Sequence, residues 1–194
     1  MTSDLSELQR RILLQTAAGL AIGHMASRAS GAESATGTPQ GKIGEFNFLA
    51  GEWKIKHQRL KSVASANSPA VWDEFEGEAT CWTVLGGVGS IEELRIPARK
   101  FSGIGIRLLD LENKLWSDFW VNGSSGVLAP PGMTGHFENG VGTFVADDAD
   151  GNPPTKARGV WDRITATSCR WHQAVSKDGG QVWEPNWFMD WVRA

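Results

Sequence analysis

The residues around His57 alternate in a way that places a histidine among apolar neighbours. Trp53, Ile55 and His57 occupy every second position, and the positions between and after them hold two lysines and a glutamine. Alternate residues of a β-strand share one face. We therefore predict that these three side chains face an interior. His57 then either hydrogen-bonds near the strand end, or contacts a ligand as a polar group or general base.

Asp118 is the second residue that could take part in chemistry, because it lies between two tryptophans on the same face of a strand. Trp116, Asp118 and Trp120 share one face of a predicted strand. The opposite face is also mostly apolar, so both orientations stay open. If the tryptophans point inward, desolvation raises the pKa of Asp118 and makes it useful as an acid or base. If they point outward, Asp118 is a solvated surface group.

Two adjacent glutamates offer a further carboxylate. Glu92 and Glu93 must face opposite sides of a strand. We predict that Glu93, which shares a face with Ile91 and Arg95, is the inward one. A purely structural Glu93–Arg95 ion pair is the alternative interpretation. If the protein is an enzyme, the candidate catalytic residues are His57, Glu93 and Asp118.

The C-terminal stretch adds an apolar stripe of two indoles and a thioether. Trp187, Met189 and Trp191 share one face, and methionine is typical of adaptable apolar pockets. The stripe either lines a pocket or packs as a barrel floor. The predicted ligand-binding residues are Trp53, His57, Trp116, Trp120, Trp187, Met189 and Trp191.

Other reactive residue types do not form recognisable motifs. His57, His136 and His172 lack the short spacing of a metal site, so no metal is predicted. Cys81 and Cys169 are expected to be separate buried thiols in preference to a disulfide. The sequence contains no nucleophile elbow, zinc-protease motif, phosphate loop or dinucleotide fingerprint.

The elements that must position these residues are β-strands. All ten tryptophans follow residue 52, tyrosine is absent, and the aromatics alternate between turn residues. Asn139-Gly140 is a strong hairpin signal. The predicted strands are 53–61, 71–84, 90–96, 102–109, 114–121, 133–138, 141–146, 157–166, 169–176 and 183–192. Consecutive hairpins of this kind predict an all-β, antiparallel up-and-down β-barrel, with an open sandwich as the alternative.

The first forty residues differ in composition from the remainder. Arg10 and Arg11 precede a short apolar run and then a stretch of small residues, which is the order of a signal peptide and resembles a twin-arginine export signal. We predict a signal peptide at 1–32, a linker at 33–43 and the barrel at 44–194, with a periplasmic or secreted protein as the result. An amphipathic helix that stays attached is the alternative.

Three motifs in order suggest a family. They are FNFLAGEW at 46–53, LGG at 85–87 followed by IEE at 91–93, and SKDGGQVW at 176–183. Together they resemble bacterial lipocalin-like (calycin-type) barrels, several of which are known only as domains of unknown function. The resemblance implies a barrel that hosts carriers, haem proteins or a few enzymes. No axial histidine is assigned, so no cofactor is expected, and haem is the one to consider.

The expected partner is a small hydrophobic or aromatic molecule held in a tryptophan-lined cavity. A net charge of −3 and the lack of a basic stripe argue against nucleic acid. The apolar run near the N-terminus is too short for stable membrane insertion. The alternative function is an enzyme on the same scaffold that catalyses an acid–base isomerisation, hydration or elimination.

Overall fold

The computed structural model describes residues 40–64, 69–148 and 155–194, which form ten β-strands and three short 3-10 turns. The turns are Asn47–Leu49, Leu85–Gly87 and Pro97–Arg99. The strands are β1 (Gly51–Ser62), β2 (Val71–Val84), β3 (Gly89–Ile96), β4 (Phe101–Asp110), β5 (Leu115–Asn122), β6 (Met133–Glu138), β7 (Val141–Asp148), β8 (Thr155–Asp162), β9 (Ser168–Ser176) and β10 (Glu184–Arg193).

Each strand pairs antiparallel with the next one in sequence, and β10 pairs with β1 to close the sheet. The prediction of an all-β, up-and-down barrel of about ten strands is therefore confirmed, and the open sandwich is excluded. Closure gives every described strand a partner on both sides, and the shortest pairing is that of β5 with β6, over Trp116–Asp118. The ten strands exceed the eight of lipocalins.

The observed strand boundaries agree closely with those predicted from the sequence, except that β8 ends at Asp162 and not near residue 166. Arg163 has a left-handed backbone conformation (φ 51°), which stops the strand. The Thr165 hydroxyl then accepts hydrogen bonds from the backbone N–H groups of Thr167 and Ser168. Such a local side-chain contact favours a turn over continued pairing.

A short segment before β1 plugs one end of the barrel, which we call the plug end. Phe46 and Leu49 are buried there, and Phe46 makes edge contacts with Trp116, Phe137 and Trp161. Gly41, which falls in the predicted linker, also contacts the barrel, since its N–H donates to the Lys114 carbonyl at 2.7 Å. We call the opposite end, where β1 ends and β2 begins, the far end.

Several inward glycines lie beneath large side chains of neighbouring strands. A Cβ at Gly103 would stand 2.2 Å from the Trp120 ring, and one at Gly142 would stand 2.7 Å from Phe137. Glycine thus provides the space that lets an aromatic ring lie flat against the wall. This pairing of small and large residues packs the indoles inside the barrel.

The predicted signal peptide at 1–32 and residues 33–39 of the predicted linker lie outside the described residues. Within the part of the chain that the structure describes, no helix has the length and apolar character needed to cross a bilayer.

Candidate functional site

Most of the tryptophans point into one shared interior. Five are buried, and two more are half-buried against the same core, whereas the remaining three lie on the outer surface. The buried ones are Trp53, Trp116, Trp161, Trp187 and Trp191, the half-buried ones are Trp120 and Trp171, and the outer ones are Trp72, Trp82 and Trp183. All seven predicted ligand-binding residues, with His57 and Met189 among them, belong to the interior.

The interior indoles divide according to whether their N–H groups are used by the plug. Trp53 Nε1 donates to the Leu49 carbonyl at 2.6 Å, and Trp116 Nε1 donates to Glu45 Oε2 at 2.9 Å. These two rings therefore hold the plug segment and form the floor of the barrel. Of the C-terminal stripe, Trp191 packs against Trp53 and Trp161 as part of this floor, as the packed-floor interpretation expects. Trp187 and Met189 lie farther along β10.

Toward the far end, His57 forms the centre of an aromatic group that we call the His57 cluster, defined as Phe75, His57, Trp171 and Trp187. The His57 ring stacks on Phe75 with centroids 4.5 Å apart and an interplanar angle of 9°. Trp187 Nε1 donates to His57 Nδ1 at 3.3 Å, and Trp171 packs edge-on against Trp187. Three strands, β1, β2 and β10, thus fix the orientation of one imidazole.

Two arginines cover this cluster. The Arg99 guanidinium lies 3.5 Å from the centre of the Phe75 ring and pairs with Asp73 at 2.6 Å. The Arg59 guanidinium lies 4.8 Å from the Trp187 ring. Both contacts are of the cation–π type, and they hold the aromatic planes in place.

His57 is a neutral imidazole at ordinary pH. Burial lowers its pKa, and the charge of Arg99 lowers it further, to about 4. Nδ1 accepts a hydrogen bond from the Trp187 Nε1–H, so the proton of the neutral imidazole is on Nε2. Nε2 itself has no hydrogen-bond partner among the described residues and lies over Gly77, where a Cβ would approach it to 2.6 Å.

Asp118 also faces the interior, which decides between the two orientations left open by the sequence. It belongs to a buried group of charges, the Arg107 triad, made up of Glu92, Arg107 and Asp118. Arg107 Nη2 donates to Glu92 Oε2 at 2.5 Å, and Arg107 Nε lies 3.5 Å from Asp118 Oδ1. The guanidinium also lies 5.1 Å from the centre of the Trp161 ring.

Within the triad, the arginine stays charged and one carboxyl has a raised pKa. Burial raises the pKa of Asp118 to about 6, although Arg107 opposes the rise. Burial would lower the pKa of Arg107, but Asp118 and Glu92 outweigh it and raise the pKa above its ordinary value. Asp118 therefore changes protonation close to neutral pH, as the inward interpretation predicts.

The prediction that Glu93 is the inward glutamate is wrong. Glu92 is buried at 2% exposure, while the Glu93 side chain is 46% exposed and pairs with Arg95 on the outer wall at 3.0 Å. Leu94 and Ile96, which are both buried, lie on the same face of β3 as Glu92. This alternation is the sequence signal that favours Glu92 as the inward glutamate. Arg107, which the sequence reasoning missed, shares the parity of the buried Leu109 on β4.

The histidines do not converge. His57 is inside, whereas His172 lies on the outer wall near Phe188 and Asp162, and His136 alternates with the inward Gly135 and Phe137. Among residues 40–64, 69–148 and 155–194, no group of three metal-ligating side chains is found. Cys81 and Cys169 are buried free thiols, as predicted, and burial raises the pKa of both.

A shallow groove of about 450 Å³ lies beside the plug, lined by residues that include Lys42, Glu45, Phe48, Phe137 and Ile164. It is separate from the His57 cluster and contains none of the predicted site residues. We therefore place the candidate site in the barrel interior, where the polar side chains are buried and oriented.

Comparisons with known proteins assign neither a family nor a function to this chain. No protein-family model and no curated protein matches the sequence. A redesigned β-barrel is similar over 79% of this chain and 98% of its own, with 10% identity and a TM-score of 0.42. A protein of unknown function of the DUF3598 family from Nostoc punctiforme is similar over 82% of this chain, with 12% identity and a TM-score of 0.40. The match spans 53% of that protein.

Proposed function

We propose that this protein is a lipocalin-like barrel that binds a small hydrophobic or aromatic molecule beside the His57 cluster. The observation that carries the proposal is one continuous group of buried aromatic side chains inside a closed barrel, with an oriented polar group among them. Apolar walls with a few placed polar groups are typical of small-molecule sites. Residues beyond the plug fit this description best, because Trp53 and Trp116 are already used in holding the plug.

A titration with a neutral aromatic probe tests the proposal. N-phenyl-1-naphthylamine should bind the purified protein, gain fluorescence and quench indole emission. Trp120→Ala should weaken binding, because Trp120 stacks on Phe101 against the core and its N–H is buried. Trp82→Ala is the matched control, since Trp82 lies on the outer wall and is 46% exposed.

Two outcomes would contradict the proposal. If the probe does not bind, and native mass spectrometry of protein purified from its own host shows no retained small molecule, the interior is packing alone. Equal weakening by Trp82→Ala and Trp120→Ala would place the probe on the outer surface and would also contradict the proposal.

A second candidate function, acid–base catalysis, is favoured by the raised pKa of Asp118. A carboxyl that titrates near pH 6 inside an apolar barrel can exchange protons with a bound molecule. His57 and Asp118 contact different partners, the aromatic cluster and Arg107 respectively. Turnover of an isomerisation, hydration or elimination with a bell-shaped pH profile that disappears in Asp118→Asn would support this function.

We also propose that the chain is exported through a twin-arginine signal at 1–32. The support is sequence order alone, with Arg10 and Arg11 ahead of an apolar run and small residues. Substitution of both arginines by lysine should retain the protein in the cytoplasm. N-terminal sequencing of periplasmic protein should begin near Glu33, and an intact Met1 there would contradict export.

A further inference from the structure

The barrel interior contains buried N–H donors that have no acceptor. His57 Nε2 is the best defined, because its ring is fixed by Phe75 on one face and by Trp187 at Nδ1. The residue is 1% exposed, and Nε2 has no partner within the described chain. A buried donor left without a partner costs about 1–3 kcal/mol, which makes it a feature that requires an explanation.

The other unpartnered polar atoms of the interior are donors as well. They are the indole Nε1 atoms of Trp120, Trp161 and Trp191, together with Nη1 of Arg107. The interior carboxylates do not serve as acceptors for these donors, since Glu92 and Asp118 both face Arg107. Among the described residues, the interior therefore presents free hydrogen-bond donors and carboxylates that are already paired.

We propose that the bound molecule is an uncharged apolar compound that carries a carbonyl-type oxygen, and that His57 Nε2–H donates to this oxygen. The inference rests on the proposed function and names the chemical class of its ligand. Phe75 stacks on the imidazole, and Trp187 packs against Trp171 beside it, so the donor belongs to an aromatic group that suits a flat apolar frame. The missing side chain of Gly77 lets the imidazole pack closely against β2, because a Cβ there would approach Nε2 to 2.6 Å.

The same geometry excludes two other ligand classes. A cationic amine would meet N–H donors that repel its own protons, and the carboxylates that attract it are already paired with Arg107. A pure hydrocarbon would fill the apolar surface but would leave His57 Nε2 without an acceptor. The carbonyl compound is the one that satisfies the donor and the apolar walls together.

Three probes of one frame test the inference on the full chain. They are 2-acetylnaphthalene, its near-isostere 2-isopropenylnaphthalene, in which a methylene replaces the oxygen, and 1-(2-naphthyl)ethylammonium. We expect the ketone to bind about tenfold more tightly than the alkene, despite its lower hydrophobicity, and the ammonium to bind more weakly than either. The infrared C=O stretch of the bound ketone should lie below its frequency in hexane.

Variants of His57 identify the donor. His57→Phe keeps a ring on Phe75 but removes Nε2–H, so the affinity ratio of ketone to alkene should fall toward one. His57→Gln keeps an amide N–H donor and should retain part of the preference. The infrared measurement uses the unaltered protein and so remains informative if a variant fails to fold.

The outcomes separate the inference from the function on which it rests. If no probe binds, the proposed function fails and the inference fails with it. If the alkene or the ammonium binds as tightly as the ketone, or if the C=O stretch stays at its hexane frequency, the inference alone is overturned. A preference for the ketone that survives His57→Phe would also overturn it, because the donor would then be another residue.

Discussion

Single residues in the interior respond to burial in opposite directions. The pKa of Asp118 rises from 3.8 to about 6, and the pKa of His57 falls from 6.5 to about 4, each mainly through desolvation. Burial disfavours the charged form of both groups, so both are neutral between these values. Free energy of unfolding therefore depends on two linked protons whose contributions have opposite signs.

The signs lead to a prediction for two variants. Between about pH 4 and pH 6, Asp118 is protonated only in the folded state, so its contribution to stability is lost as pH rises. His57 is protonated only in the unfolded state, so its contribution is lost as pH falls. In the native protein the two slopes offset each other. Asp118→Asn should make unfolding free energy rise with pH, and His57→Gln should make it fall, by up to ~1.4 kcal/mol per pH unit.

Urea unfolding at several pH values in this window measures both slopes. Asp110→Asn is the matched control, because hydrogen bonds from Asn113 lower the pKa of this surface carboxyl and confine its linkage to pH values below about 4. Three parallel stability curves for the Asp118, His57 and Asp110 variants would show that the interior groups are not shifted as described.

At the scale of the strand, the interior is shaped by where β4 and its neighbours carry glycine. Gly103 and Gly105 alternate with outward isoleucines, and the Trp120 ring lies over Gly103. At a glycine position the strand has no side chain, so a large ring of the next strand can occupy the space that a branched side chain would fill. The orientation of Trp120, a predicted ligand contact, is thus decided on a different strand from its own.

Gly103→Ala should therefore destabilise the barrel by about 1–3 kcal/mol, because the new Cβ would stand 2.2 Å from the Trp120 ring. Near-ultraviolet circular dichroism and urea unfolding would report the displaced indole. Gly105→Ala on the same strand is the comparison, since the nearest atoms to its Cβ would belong to Arg107 and Glu92, at 3.1 Å and beyond, and not to an aromatic ring. Equal costs at the two positions would contradict this account of Trp120.

A double variant sharpens the test. In the Gly103→Ala background, Trp120→Leu should cost less than it costs alone, because the smaller side chain relieves the overlap. Strict additivity of the two changes would mean that Trp120 does not rest on Gly103.

At the scale of the whole molecule, the two ends of the described chain close the barrel together. β10 pairs with β1, and Arg193 donates to the carbonyls of Phe48 and Ala50 while its guanidinium lies 4.0 Å from the centre of the Trp53 ring. One side chain near the C-terminus therefore holds both the plug and the first strand. Sheet closure and the sealing of the plug end depend on the same contacts.

Arg193→Ala should lower the free energy of unfolding by about 1–3 kcal/mol and speed hydrogen exchange at the Trp53 indole, since charge-assisted hydrogen bonds to two partly buried carbonyls are lost. Arg170→Ala is the control, because Arg170 pairs with Asp190 on the outer wall, where ion pairs contribute little. Exchange at Trp53 that matches the native protein would contradict the role of Arg193 in holding the plug.

How much the sequence predicts differs between the fold and the site. Strand positions and the up-and-down order follow from alternation and turn residues such as Asn139-Gly140, both of which are local signals. The inward face of β1 is equally local, because lysines mark the outer side. The site residues Trp187 and Met189 follow from the same alternation in β10.

The sequence by itself determined that this chain forms consecutive antiparallel strands with indoles on alternating faces. The tertiary structure decided which face is inward where both faces carry apolar residues, and so placed Glu92 and Asp118 inside and Glu93 outside. It also brought Arg107 against two carboxylates and His57 against Phe75 and Trp187. The physical reason is that parity within a strand is a local property, whereas partners across the barrel depend on register and closure, which involve the whole chain.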